Sequence, residues 1–105
     1  EYIDMAKLHI RLKSDGMKET FNWNLKVDND IHKLIARESK SLTFGARPTL
    51  RMINGIISLG VTNYQIEKAP IEEGSNIQLE LLSEKEKLFK LTVDGGESLE
   101  YQVNL

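Results

Sequence analysis

The sequence predicts one α+β domain with its elements in the order ββ-α-ββ-β and an added C-terminal β-hairpin. Three observations carry that prediction. Asn54-Gly55 parts two apolar runs, Leu50-Arg51-Met52-Ile53 and Ile56-Ile57-Ser58-Leu59. Both residues of such a pair tolerate the positive φ of a type I′ turn, so it is a strong short-range hairpin signal. The spacing of apolar residues changes from alternating to helical near Asp28. Asp94-Gly95-Gly96 then separates two further strand-like runs.

Taken in order, residues 1–6 read as a lead-in. Lys7 to Lys13 alternates, with Leu8, Ile10 and Leu12 on one side and Lys7, His9, Arg11 and Lys13 on the other, which predicts a half-buried strand. Ser14-Asp15-Gly16-Met17 reads as a turn. Thr20 to Val27 alternates again, with Phe21, Trp23, Leu25 and Val27 inward, so Trp23 is expected in the core rather than on a binding surface.

Asp28 or Asn29 can cap a helix through a side-chain oxygen that accepts from the free N–H groups of the first turn. Ile31, Leu34 and Ile35 follow at helical spacing, with Asp30 near the start and Arg37 and Lys40 near the end, matching the helix dipole. The helix is expected over about residues 30–40. Ser41 to Pro48 reads as a loop before the Asn54-Gly55 hairpin. A second reading of that region starts a helix at Pro48, with Leu50, Ile53, Ile56 and Ile57 as its stripe. Gly55 and the β-branched content weigh against it. Residues 60–75 read mostly as loop, with a short turn of helix near Tyr64. Asn76 to Leu82 reads as a strand, and Leu88–Val93 and Ser98–Leu105 as the final hairpin.

Composition limits the function. A chain of 105 residues is one domain with its own core. It has no cysteine, which excludes disulfides and zinc–thiolate sites and fits a reducing, cytoplasmic setting. No apolar run is long enough to span a membrane. The start at Glu1 rather than Met implies a fragment or a processed product. Net charge is −2, which argues against a nucleic-acid partner. The charge is uneven: residues 1–51 carry ten Lys/Arg against seven Asp/Glu, and the remainder four against nine. Such asymmetry can steer a protein partner.

Residues 7–82 resemble the ubiquitin-like β-grasp superfamily. The resemblance is carried by a first hairpin, a helix with Ile31 and Leu34, the Asn54-Gly55 turn, and Ile71-Glu72-Glu73-Gly74-Ser75-Asn76-Ile77-Gln78-Leu79. Gly74 supplies positive φ in the last piece. Within the superfamily, that ending is similar to the YukD-like accessories of type VII secretion. Residues 83–105 are then a hairpin extension of the same domain. The resemblance implies a non-enzymatic protein-interaction module, possessing no catalytic residue, metal or cofactor, in the cytoplasm, with another protein as partner. The alternatives are a covalent modifier matured after Gly96 and an interaction domain excised from a larger scaffold protein. The chain departs from the modifier pattern, because Gly95-Gly96 is internal.

The candidate binding residues are Lys7, His9, Arg11, Lys13 and Lys26 on the outward face of the first hairpin. Met52, Gln78 and Glu80 are placed near the sheet face through which ubiquitin meets its partners. A homodimer through the C-terminal hairpin is a further expectation. His9 and His32 read as surface residues, since neither has ligands at metal-binding spacing. Gly95-Gly96 lacks the lysine and following helix of a phosphate loop.

Overall fold

The computed structural model describes residues 2–40 and 46–104. Helix α1 (Tyr2–Phe21) leads into strand β1 (Asn24–Val27), then α2 (Asn29–Lys40) and α3 (Ala46–Glu67), and the chain ends with β2 (Asn76–Ser83), β3 (Leu88–Val93) and β4 (Ser98–Gln102). The fold is α+β. Its one sheet has the order β1-β2-β3-β4. β1 pairs with β2 in parallel, and β2, β3 and β4 form an antiparallel meander. The order α-β-α-α-β-β-β replaces the expected ββ-α-ββ-β.

The expected first strand and turn, and the start of the expected second strand, are α1, while the rest of that second strand is β1, which pairs with β2 instead. The alternation at 7–13 covers fewer than two helical turns, and the burial follows a longer repeat: Ala6, Ile10 and Met17 are buried, while Leu8 and Leu12 are exposed. Only helical spacing puts the three buried residues on one side and leaves those two leucines off it. Met17, expected in a turn, is therefore core. Helix α1 stops at Asn22, whose φ of 57° is the left-handed conformation that ends helices, and whose N–H donates to Lys18 O at 2.9 Å.

The Asn54-Gly55 hairpin is likewise absent, because both residues lie inside α3. Met52, Ile53, Ile56, Ile57, Val61 and Tyr64 are buried on one stripe of that helix. Tertiary burial along more than five turns outweighs the helix penalty of about 1 kcal/mol for one glycine. The alternative helix from Pro48 is thus the better reading of this region. It runs through half of what reads as loop over 60–75, including the expected turn of helix near Tyr64. The expected loop over 41–48 lies outside the described residues as far as position 45, and its last three residues belong to α3.

The expected helix near 30–40 is α2, and the expected strand from Asn76 is β2. The final hairpin also forms. Asp94 and Gly95 have φ of 52° and 67°, the positive pair that a type I′ turn requires. Gly74 has the expected positive φ, 84°. Trp23 is buried as expected.

The core lies between the helices and one face of the sheet. Ile77 and Leu79 from β2, Phe89 and Leu91 from β3, and Leu99 and Tyr101 from β4 meet Ile31, Leu34 and Ile35 of α2 and the buried stripe of α3. Ser39 and Thr49, both buried, share a 2.6 Å hydrogen bond that joins α2 to α3. The hairpin of β3 and β4 continues the main sheet, and its apolar side completes the core rather than projecting.

Candidate functional site

The expected binding residues do not form one face. Lys7, His9, Arg11 and Lys13 are on α1, not on a strand. Lys7 and Arg11 share a stripe with Lys18, whose Nζ donates to Asn24 Oδ1 at 3.0 Å. Ser14 Oγ donates to Leu25 O at 3.5 Å, so α1 runs back alongside β1. Lys13 lies on a different flank, and His9 is half-buried. Met52, expected on a strand, is buried in α3 and is unavailable as a contact.

Three of the residues do come together on the outer face of the sheet. Lys26 is the register partner of Gln78. Glu80 follows one row along, opposite Lys90, which is opposite Glu100. The Glu80–Lys90–Glu100 row alternates in sign, as cross-strand charged pairs favour. This face is polar and solvated.

A concave surface lies elsewhere among the described residues. A groove of about 650 Å³ runs between the second half of α1 and the second half of α3. Its α1 wall is Leu12, Lys13, Gly16, Thr20 and Phe21, and its α3 wall is Ser58, Thr62 and Gln65. Met17, Trp23, Val61 and Ile71, all buried, also line it as an apolar floor. The floor is fixed by local bonds. Gln65 Oε1 accepts from the Ile71 N–H at 3.3 Å, which holds the segment after α3 under the groove. Gly74 N–H donates to Asn22 O at 2.8 Å, tying the same segment to the end of α1. Phe21 stacks on Trp23 with ring centroids 4.4 Å apart.

Two of the large apolar side chains that line this groove stand exposed. Leu12 is 54 % exposed and Phe21 49 %. Leu8, one turn before Leu12, is also exposed, as are Leu59 and Ile66, each one position past the groove-lining Ser58 and Gln65. None of these stands out locally, because residues 7–13, 20–27 and 56–59 read as strand and 60–75 as loop. Helical spacing is the signal that finds them: Leu8 and Leu12 at i, i+4, and Ser58, Thr62 and Gln65 at i, i+4, i+7.

Of the ionisable groups, His32 is shifted downwards, first by burial and then by the nearby charge of Lys7, with the Val27 backbone partly offsetting both. Its Nδ1 is buried and lacks a hydrogen-bond partner. Burial raises the Tyr101 hydroxyl well above its usual range. Among the described residues, no cluster of three or more His, Asp or Glu is arranged to hold a metal. Among them, too, no helix is long and apolar enough to cross a membrane. No protein-family model matches the chain, and no curated protein matches it.

Proposed function

We propose that this chain is a non-enzymatic protein-interaction domain that receives a partner protein in the groove between α1 and α3. The supporting observation is the apolar floor of that groove, rimmed by Leu12 and Phe21 at about half exposure. A concave surface with an apolar floor and half-exposed apolar side chains at its rim is the kind of surface that interaction sites use. Burying a whole side chain of this kind contributes about 1.5–3 kcal/mol, and covering the exposed halves of Leu12 and Phe21 contributes about that much together, a share of the roughly 8 kcal/mol of a micromolar affinity. On the outer face of the sheet, Lys26, Gln78 and Glu80 are polar groups at the surface, whose contacts contribute little.

Of the features that carry the ubiquitin-like resemblance, the helix with Ile31 and Leu34 and the strand after Gly74 form, but most of the first hairpin and the Asn54-Gly55 turn are helical, so the resemblance adds little support for a secretion accessory of the YukD-like kind. The modifier reading needs cleavage after Gly96, which would remove β4 and its core residues Leu99 and Tyr101. An interaction domain within a larger scaffold would use the same groove.

Site-specific photo-cross-linking in the cells that make the protein tests the proposal. A photoreactive residue at Thr62 is expected to capture a discrete protein, and Phe21→Glu is expected to abolish that capture. Capture only from a probe at Lys90, on the outer face of the sheet, would move the function away from the groove.

A further inference from the structure

We propose that the chain forms a symmetric dimer by pairing β4 antiparallel with β4 of a second copy, about a twofold axis at Tyr101, so that two sheets become one. The first observation is an open edge. β4 ends the sheet and pairs only with β3. The Val103 N–H donates to Lys87 O at 3.0 Å and the Val93 N–H to Glu97 O at 3.2 Å. Hydrogen-bonded positions alternate along an antiparallel ladder, so Leu99, Tyr101 and Val103 aim their backbone groups at β3. Ser98, Glu100 and Gln102 aim theirs away from it, and among the described residues no bond reaches those groups. The opposite edge is treated differently, because Ser14 of α1 donates to Leu25 O of β1. An open edge is a template for another strand, and proteins blunt such edges with lysine, proline or a bulge. β4 has none of the three.

The second observation is the helix above that edge. A Cβ on Gly55 would meet Val103, and one on Gly60 would meet Tyr101, so α3 lies over β4 and runs antiparallel to it. Gly55, Leu59 and Ile66, at i, i+4 and i+11, share one side of α3. Gly55 sets that side along β4, yet Leu59 is 38 % exposed and Ile66 76 %. An extended segment of another protein would satisfy the edge and bring nothing to cover this flank. A second copy brings both a strand and a helix. With the axis at Tyr101, Leu59, next to Gly60, comes level with Leu59 of the second copy.

The third is register. The outward backbone groups of one strand must meet those of the other, which allows an axis at Glu100 or at Tyr101 in the middle of the strand. An axis at Glu100 would set two carboxylates directly opposite each other, which is unfavourable. An axis at Tyr101 sets Glu100 opposite Gln102 of the second copy, twice per dimer, and Leu99 opposite Val103. None of these residues lines the groove between α1 and α3, so the dimer and the groove reading stand or fall separately.

Sedimentation equilibrium of the whole chain, at low salt and up to about 100 μM, tests the proposal. A monomer–dimer equilibrium is expected. Gln102→Lys places a cation opposite Glu100 twice per dimer and is expected to tighten the dissociation constant about three- to tenfold. Gln102→Glu is expected to weaken it by a similar factor. Gln102→Pro removes an outward N–H that β3 does not use, and is expected to give a monomer with unchanged far-UV circular dichroism. A chain that stays monomeric throughout the range would overturn the proposal and leave the edge to a strand of another protein. A dimer that Gln102→Pro leaves intact while the fold holds would overturn it too. Equal dissociation constants in Gln102→Lys and Gln102→Glu would overturn the axis at Tyr101. Both are substitutions at an exposed side chain, so they decide the matter even where the proline variant fails to fold.

Discussion

The ring of Tyr101 occupies the space that a side chain at Gly60 would need. A Cβ built on Gly60 would stand 2.5 Å from both Cζ and Oη of Tyr101. The Tyr101 hydroxyl donates to Ile56 O at 2.7 Å, one helical turn before Gly60. α3 therefore settles on β4 through a contact made at zero side-chain thickness, locked by one buried hydrogen bond. The ring is also stacked on Phe89 of β3, with centroids 5.8 Å apart, so it cannot retreat freely.

Gly60→Ala is consequently expected to destabilise the protein, although alanine is the better helix former by about 1 kcal/mol. Overpacking a fixed aromatic ring costs about 1–3 kcal/mol, so the loss outweighs the gain. A fall of several degrees in melting temperature is the expected reading, at roughly 4–8 °C per kcal/mol for a domain of this size. Tyr101→Phe, which removes only the hydrogen bond to Ile56, is expected to cost about 1 kcal/mol. A Gly60→Ala protein that melts at or above the wild-type temperature would show that α3 does not rest on Tyr101 in this way.

Gly55→Ala, in the same helix, is expected to act in the opposite direction. The new Cβ would meet only Val103 Cγ1 at 3.8 Å, an ordinary contact. The helix-propensity gain of about 0.5–1 kcal/mol is then uncancelled, and the melting temperature rises. A turn at Asn54-Gly55 would require positive φ at Gly55, and alanine there would destabilise instead. The sign of one thermal shift thus separates the helix from the hairpin.

The contrast between these glycines explains how far the fold was legible. Local rules succeeded where the chain makes its structure locally. Asp94-Gly95 needs positive φ and has it; Ile31, Leu34 and Ile35 need one buried side and have it. They failed where burial against distant elements decides. Leu8, Ile10 and Leu12 alternate, yet only Ile10 is buried, because α1 packs through Ala6, Ile10 and Met17. Asn54-Gly55 is a turn signal in isolation, yet Ile53, Ile56 and Ile57 around it are all held by the sheet and by α2. The groove inherits both errors, since each of its walls is a helix that reads locally as something else. Lys13 was the one expected binding residue that lines it, and it was proposed for a different face.

Truncation after Gly96 is expected to abolish cooperative folding. Residues 97–104 contribute Leu99, Tyr101 and Val103 to the core. Losing three buried side chains at about 2–5 kcal/mol each is comparable with the whole 5–15 kcal/mol that stabilises a domain of this kind. The β3 edge would also be left unpaired. Far-UV circular dichroism with thermal melting checks this. A truncated chain with a sharp transition near that of the full chain would revive maturation at Gly96 as a physical possibility.

His32 is expected to make the protein less stable as pH falls through the range just below its ordinary pKa of 6.5. Burial, and then the charge of Lys7, lower its pKa in the folded chain. Between the folded and unfolded values, the unfolded chain binds the proton and the folded chain resists it. Stability therefore rises with pH across that window and is fully present above about pH 7. Denaturant midpoints at about pH 7.5 and pH 5.5 sample both sides while leaving most carboxylates ionised. His32→Gln removes the titrating group, so the drop in midpoint on acidification should shrink. Lys7→Gln should shrink it by less, since the Lys7 charge is the smaller of the two causes. An unchanged drop in His32→Gln would assign the pH dependence to other groups and show that the imidazole is free to protonate in the folded protein.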